Sequence, residues 1–218
     1  RDRSPSRGLG DVYKRQGLPE LDTYFAMARG YQGENGDVKA FAMKKWFNTN
    51  YHYMVPEIDD ETTLQLAGNK PFALFQEALE QGVLTKPVLI GPYTFLKLAK
   101  YTGEKTATDF AADAARAYGE ILTKFADLGA EWVQLEEPCL VMDLTDADRA
   151  LFVQLYETIL AEKHTVKVLL QTYFGDVRDC YADLCKLDFD GIGLDFVEGK
   201  QSLSLVKEPV SYTHLTLP

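Results

Sequence analysis

Four short apolar runs, at residues 87–90, 132–135, 166–170 and 191–194, each follow a segment of helical periodicity. This alternation limits the fold more than any other feature of the chain. Short strands rich in Val, Leu and Ile are expected where helices cover them, and strand–helix repetition implies a parallel sheet. A fifth strand is expected over 46–51, where aromatic side chains concentrate. The fold class is therefore α/β, either a barrel or an open doubly wound sheet. No Gly-x-Gly-x-x-Gly follows the first strand, so the dinucleotide-binding form is disfavoured. Polar residues instead collect just past successive strands: Asn48 and Asn50, Tyr93 and Thr94, Glu136 and Glu137, Thr172 and Tyr173, then Asp195. That distribution fits a (βα)8 TIM-type barrel, whose sites sit at the carboxyl ends of the strands. About five strands cannot close a barrel of eight, so the barrel is incomplete.

The helices follow from spacing and punctuation. A short helix is expected over 21–28 and another over 59–66. Asn69-Lys70-Pro71 opens a helix whose apolar face is Phe72, Phe75 and Leu79, ended by Gly82. Phe110, Ala114, Tyr118, Ile121, Leu122, Phe125 and Leu128 form one stripe, capped by Thr106 or Thr108 and stopped by Gly129. Helices over 148–163 and 178–186 complete the set.

Composition excludes several functions. The chain has 218 residues, enough for one large domain, and a net charge of −10. Such a chain is a poor partner for nucleic acid or anionic membranes, which need clustered Lys and Arg. No apolar run approaches the ~20 residues that span a bilayer, and no secretory signal is visible. Cys139, Cys180 and Cys185 are too few for a disulfide framework, and a reducing cytoplasm is the simplest compartment. Cys180 and Cys185 share no His-x-Cys pattern, so they read as core or surface thiols rather than metal ligands.

The densest chemistry lies in Lys45-Trp46-Phe47-Asn48-Thr49-Asn50-Tyr51-His52-Tyr53-Met54-Val55-Pro56-Glu57. Asn, His and Lys interleaved with aromatic rings can stack a flat ligand and hydrogen-bond its edges. This stretch resembles the signature of the N-terminal domain of cobalamin-independent methionine synthases. Matching segments follow in order: Leu21-Asp22-Thr23, Lys86-Pro87-Val88-Leu89-Ile90-Gly91-Pro92, Glu131-Trp132-Val133-Gln134-Leu135-Glu136-Glu137-Pro138 and Gln171-Thr172-Tyr173-Phe174. The resemblance runs from about Leu18 to about Glu208.

The resemblance implies a methyltransferase that moves a methyl group from 5-methyltetrahydropteroyltriglutamate to homocysteine. It implies that Lys45 binds the folate substrate through its acidic glutamate tail, with Trp46, Asn48 and Tyr51 shaping that surface. The family's N-terminal domain is a (βα)8 barrel, so residues 17–209 are expected to be part of it. The family's zinc, which activates the homocysteine thiol, is held by a His, two Cys and a Glu of a C-terminal catalytic barrel. No metal is expected here, and no cobalamin. The implied partners are the folate and that C-terminal barrel, and the chain alone is expected to be inactive. Where the family has Asp-Glu-Pro, this chain has Glu136-Glu137-Pro138, read as a polar layer or as a partner for a helix N-terminus. Residues 1–16 and 210–218 do not resemble the family and are set aside as non-native tails, His214 with them. Two other readings stand: a carboxylate-dependent barrel hydrolase using Glu136 or Glu137 with Asp195, and a non-catalytic binding module.

Overall fold

The computed structural model describes residues 20–33 and 37–206. Both expected tails lie outside those residues. The described residues divide into two compact units, the first within 20–63 and 98–109, the second within 64–97 and 110–206.

In the first unit, helix α1 (Glu20–Arg29) agrees with the expected helix over 21–28. Strands β1 (Met43–Lys45) and β2 (His52–Met54) pair antiparallel, Lys45 opposite His52 and Met43 opposite Met54. Strand β3 (Glu57–Ile58) is short and leads to no helix. Two sequence expectations fail here. Residues 46–51 are the tip of the β1–β2 hairpin rather than a strand. Phe47 takes a positive φ of 51°, and the Thr49 hydroxyl donates to the Trp46 carbonyl at 2.6 Å and accepts from the Tyr51 N–H. Local side-chain bonding of this kind competes with a ladder, so aromatic content misled the strand assignment. The helix expected over 59–66 is also absent. Thr62 closes a turn on Asp59 through both backbone and side chain.

The second unit carries the parallel sheet. Helix α2 (Lys70–Glu80) starts at Asn69 with a proline in its first turn, buries Phe72 and Phe75, and ends before Gly82 at φ +74°. Strand β4 (Val88–Ile90) leads into α3 (Pro92–Leu98). A two-residue strand of the first unit, β5 (Lys100–Tyr101), pairs parallel with β3. Helix α4 (Ala111–Asp127) buries Ala114, Leu122 and Phe125 of the expected stripe. Neither Thr106 nor Thr108 caps it. Thr106 instead bonds Asp109 and opens a 3-10 turn over Ala107–Phe110. Strand β6 (Trp132–Glu136), helix α5 (Asp146–Ala161), strand β7 (Lys167–Gln171), helix α6 (Arg178–Leu184) and strand β8 (Gly191–Gly193) follow, with a short α7 (Leu203–Val206). Thr145 and Asp148 form a capping box at the start of α5.

The sheet order is β4–β6–β7–β8, all parallel. Among the described residues it holds four strands, and the fifth expected strand is the hairpin tip. No closed barrel forms among them. Val133, Leu135, Val168, Leu170 and Ile192 alternate onto one face and are buried. Phe125 is fully buried, its ring 4.7 Å from Phe72 and 5.8 Å from Phe75. Tyr93, Phe152, Tyr156 and Phe189 form a second run of ring contacts at 4.7–5.9 Å. The other face carries Trp132, Gln134 and Glu136, with Val88 and Ile90 beside them in register. Val88 and Ile90 are 50% and 37% exposed, so β4 is less buried than its composition suggests.

Candidate functional site

The hairpin sorts its side chains by strand alternation. Trp46 N–H donates to the Tyr51 carbonyl, and Val55 N–H to the Ala42 carbonyl. Counting from those bonds, Met43, Lys45, His52 and Met54 share one face. Lys44, Trp46, Tyr51 and Tyr53 share the other. Ring contacts agree: Trp46 stands edge-on to Tyr53 at 5.6 Å and to Phe47 at 5.1 Å. Lys45 is exposed, as are Asn48 and Tyr51, the last at 79%. The four expected substrate-binding residues therefore cluster within one hairpin. They do not form one wall: Lys45 faces away from Trp46 and Tyr51. His52, which sequence reasoning did not single out, is the residue placed beside Lys45. Period-two counting could have found it only with the turn known.

The carboxylates at the carboxyl ends of β6 and β8 do structural work. Glu137 is fully buried. Its Oε1 accepts from the Tyr93 N–H at 2.9 Å and from the Tyr156 hydroxyl at 2.7 Å, and its Oε2 accepts from the Thr94 N–H at 2.6 Å. Those two amides belong to the first turn of α3, so Glu137 is the partner of a helix N-terminus, as one sequence reading held. Burial pushes its carboxyl up to about 7, while the Thr94, Tyr156 and Tyr93 donors pull it down. A raised acid of this kind can mark catalysis. Here no oxygen faces solvent and both are occupied. Glu136 is half-buried and accepts from Gln134 Nε2 at 3.1 Å and the Tyr173 hydroxyl at 2.9 Å. Asp195 accepts from the Phe174, Val197 and Glu198 N–H groups at 2.7–3.0 Å. It thereby fixes Phe174 at a positive φ of 74°. A hydrolytic acid–base pair of Glu137 and Asp195 finds no support in these bonds.

The thiols do not suit a metal. Burial pushes Cys139 and Cys180 up to about 12 each, whereas zinc takes thiolates. Among the described residues no three His, Cys, Asp or Glu side chains gather as a ligand set. Among the same residues, no helix is long and apolar enough to cross a membrane.

Comparison with known proteins decides the family. The family model described as "Cobalamin-independent synthase, N-terminal domain" matches residues 7–217. The chain belongs to this family. The match takes in part of both segments set aside on sequence grounds. A 5-methyltetrahydropteroyltriglutamate–homocysteine methyltransferase of Streptococcus suis is 57% identical over 189 residues, covering 87% of this chain and 25% of that protein. The protein of the same name from Streptococcus thermophilus is 55% identical over 194 residues, covering 89% and 26%. The chain thus spans about a quarter of the length of the curated relatives it matches. Among solved structures, a putative vitamin-B12-independent methionine synthase from Listeria monocytogenes aligns with TM-score 0.54 at 18% identity, over 75% of this chain and 54% of that one. A B12-independent methionine synthase from Shewanella, solved with selenomethionine, aligns with TM-score 0.52 at 18% identity, over 66% and 47%. These two likenesses support the α/β fold of this synthase domain.

Proposed function

We propose that this chain is the N-terminal part of an enzyme that transfers a methyl group from 5-methyltetrahydropteroyltriglutamate to homocysteine. The observation that carries this is 57% identity, over 87% of the chain, to a protein bearing that activity as its name. In this reading the four-stranded parallel sheet is an arc of a (βα)8 barrel. The remaining strands and a C-terminal catalytic barrel belong to the rest of the parent protein. That barrel holds the zinc, which activates the homocysteine thiol, and the enzyme works in the cytoplasm without cobalamin.

The chain's own contribution is substrate binding and support for the catalytic barrel. Lys45 presents a flexible ammonium to the carboxylates of the folate tail, which arrive in several poses. Its exposure and its lack of an ion pair among the described residues leave it available. Trp46, Asn48 and Tyr51 shape the neighbouring surface of the hairpin. The chain alone is expected to make no methionine, since its described residues gather no ligand set for the metal. A length series tests the tail contact. The chain should bind pteroyltriglutamate more tightly than the monoglutamate, and Lys45→Ala should remove about tenfold of that preference. Equal affinity for the two ligands in the parent chain would contradict the reading.

A further inference from the structure

The hairpin register places a second nitrogen base where a polyanion would lie. Lys45 and His52 are directly opposed across the β1–β2 pair. Trp46 N–H donates to the Tyr51 carbonyl in the adjacent pair, and Val55 N–H to the Ala42 carbonyl three pairs further on, and hydrogen-bonded and non-hydrogen-bonded pairs alternate between them. Lys45 and His52 therefore form a non-hydrogen-bonded pair, the kind whose side chains lie closest, with Cβ atoms about 5 Å apart. Both residues are exposed.

Charge points the same way. The chain carries −10 overall, yet residues 38–56 contain no Asp or Glu and include Lys39, Lys44 and Lys45. Among the described residues neither Lys45 nor His52 is paired with a carboxylate. Lys45 is the charged group that faces His52 from β1. Met43 and Met54 flank the pair on the same face, and Lys44 and Tyr53 point to the other.

The imidazole has a defined polarity. His52 Nδ1 lies 3.1 Å from the Asn50 carbonyl oxygen, which can only accept. Nδ1 therefore carries the hydrogen, and Nε2 is the free ring nitrogen. In the neutral ring Nε2 is an acceptor and repels a carboxylate. In the imidazolium it becomes a donor and attracts one.

We propose that His52 and Lys45 act together as a clamp on neighbouring carboxylates of the folate polyglutamate tail, with His52 engaged in its imidazolium form. This rests on the reading of Lys45 as a tail contact and adds a partner and a pH dependence to it. A tail with several carboxylates gains from two cations on one face, whereas a single glutamate occupies one of them. Affinity for the triglutamate is then higher in acid, where the ring nitrogen Nε2 is a donor, than in alkali, where it is an acceptor.

The test is titration of the full chain with fluorescently labelled pteroyltriglutamate at pH 5.5 and pH 8. Parent, Lys45→Ala, His52→Ala and His52→Lys chains are compared, each checked for an unchanged tryptophan emission spectrum, to which Trp46 and Trp132 both contribute. The parent should bind about tenfold more tightly at pH 5.5. His52→Ala should bring the two affinities within about twofold of each other, near the parent's value at pH 8. His52→Lys should bind tightly at both pH values, which a purely structural role for His52 would not produce. If Lys45→Ala weakens binding while His52→Ala keeps the parent's affinity at both pH values, the clamp is wrong and the Lys45 reading survives. If Lys45→Ala binds as the parent does, the tail-contact reading fails and the clamp fails with it.

Discussion

Glu137→Ala is expected to lower the stability of the chain by about 3–5 kcal/mol, the largest effect of any polar substitution in the sheet unit. The mutation removes a buried carboxylate that accepts from the Tyr93 and Thr94 N–H groups and the Tyr156 hydroxyl. All three donors would then be left in the interior unpaired, each at a cost of about 1–3 kcal/mol. Urea unfolding followed by far-UV circular dichroism measures this directly. The same residue sets a pH dependence. Burial raises its carboxyl to about 7, and an unfolded glutamate titrates near ~4.3. Between those values the folded chain holds a proton that the unfolded chain has released. Stability is therefore greatest at the acid end of that window and falls as pH rises from about 5 to about 7. The slope is at most about 1.4 kcal/mol per pH unit. Asp148 contributes in a different range. Its carboxyl is partly buried, yet the Lys97 and Thr145 bonds hold it at about 2, so its stabilisation is lost only as pH falls below about 4. The decline between pH 5 and 7 should vanish in Glu137→Ala. An unchanged decline would assign it to another group.

Asp195→Ala is expected to cost about 2 kcal/mol and to loosen two loops at once. One oxygen of Asp195 holds the Val197 and Glu198 N–H groups, and the other holds the Phe174 N–H. The first pair shapes the loop after β8, and the third bond ties it to the loop after β7. Phe174 sits at φ +74°, a conformation that a bulky residue keeps only when its surroundings impose it. Hydrogen exchange at Phe174, Val197 and Glu198 should accelerate together in the variant. The effect stays below that of Glu137 because two of the three amides are already exposed, so water replaces the lost acceptor. Independent exchange at the three amides would show that Asp195 does not join the loops.

The sheet unit was largely legible in the sequence because its signals are local. The stripe through Phe110, Leu122 and Phe125 and the closing Gly129 specify α4 within one segment. The strands over 132–135 and 166–170 are mostly apolar, each with one polar residue, Gln134 and Lys167, and each appears within a residue or two of its expected limits. The errors fall where a side chain bonds its own neighbourhood. Thr49 turned an aromatic strand-like stretch into a hairpin tip, and Thr62 closed a turn where a helix was expected. Asp60 behaves likewise, spending its carboxylate on the Glu104 and Lys105 N–H groups 44 and 45 residues away. Such long-range partners leave no periodic trace. For the candidate site, Lys45 was found through family resemblance, since an exposed lysine has no signature of its own. Its neighbour His52 required the register, because which residue opposes Lys45 depends on a turn length that aromatic content concealed.

The most direct test of the account is a chimera in which this chain replaces the matching quarter of the Streptococcus suis methyltransferase. The assay follows methionine formation from homocysteine and the triglutamyl folate. The account predicts an active chimera in which Lys45→Ala raises the KM for the triglutamyl substrate about tenfold with kcat nearly unchanged, the signature of lost binding remote from the reacting atoms. An active chimera whose KM is indifferent to Lys45→Ala would contradict it.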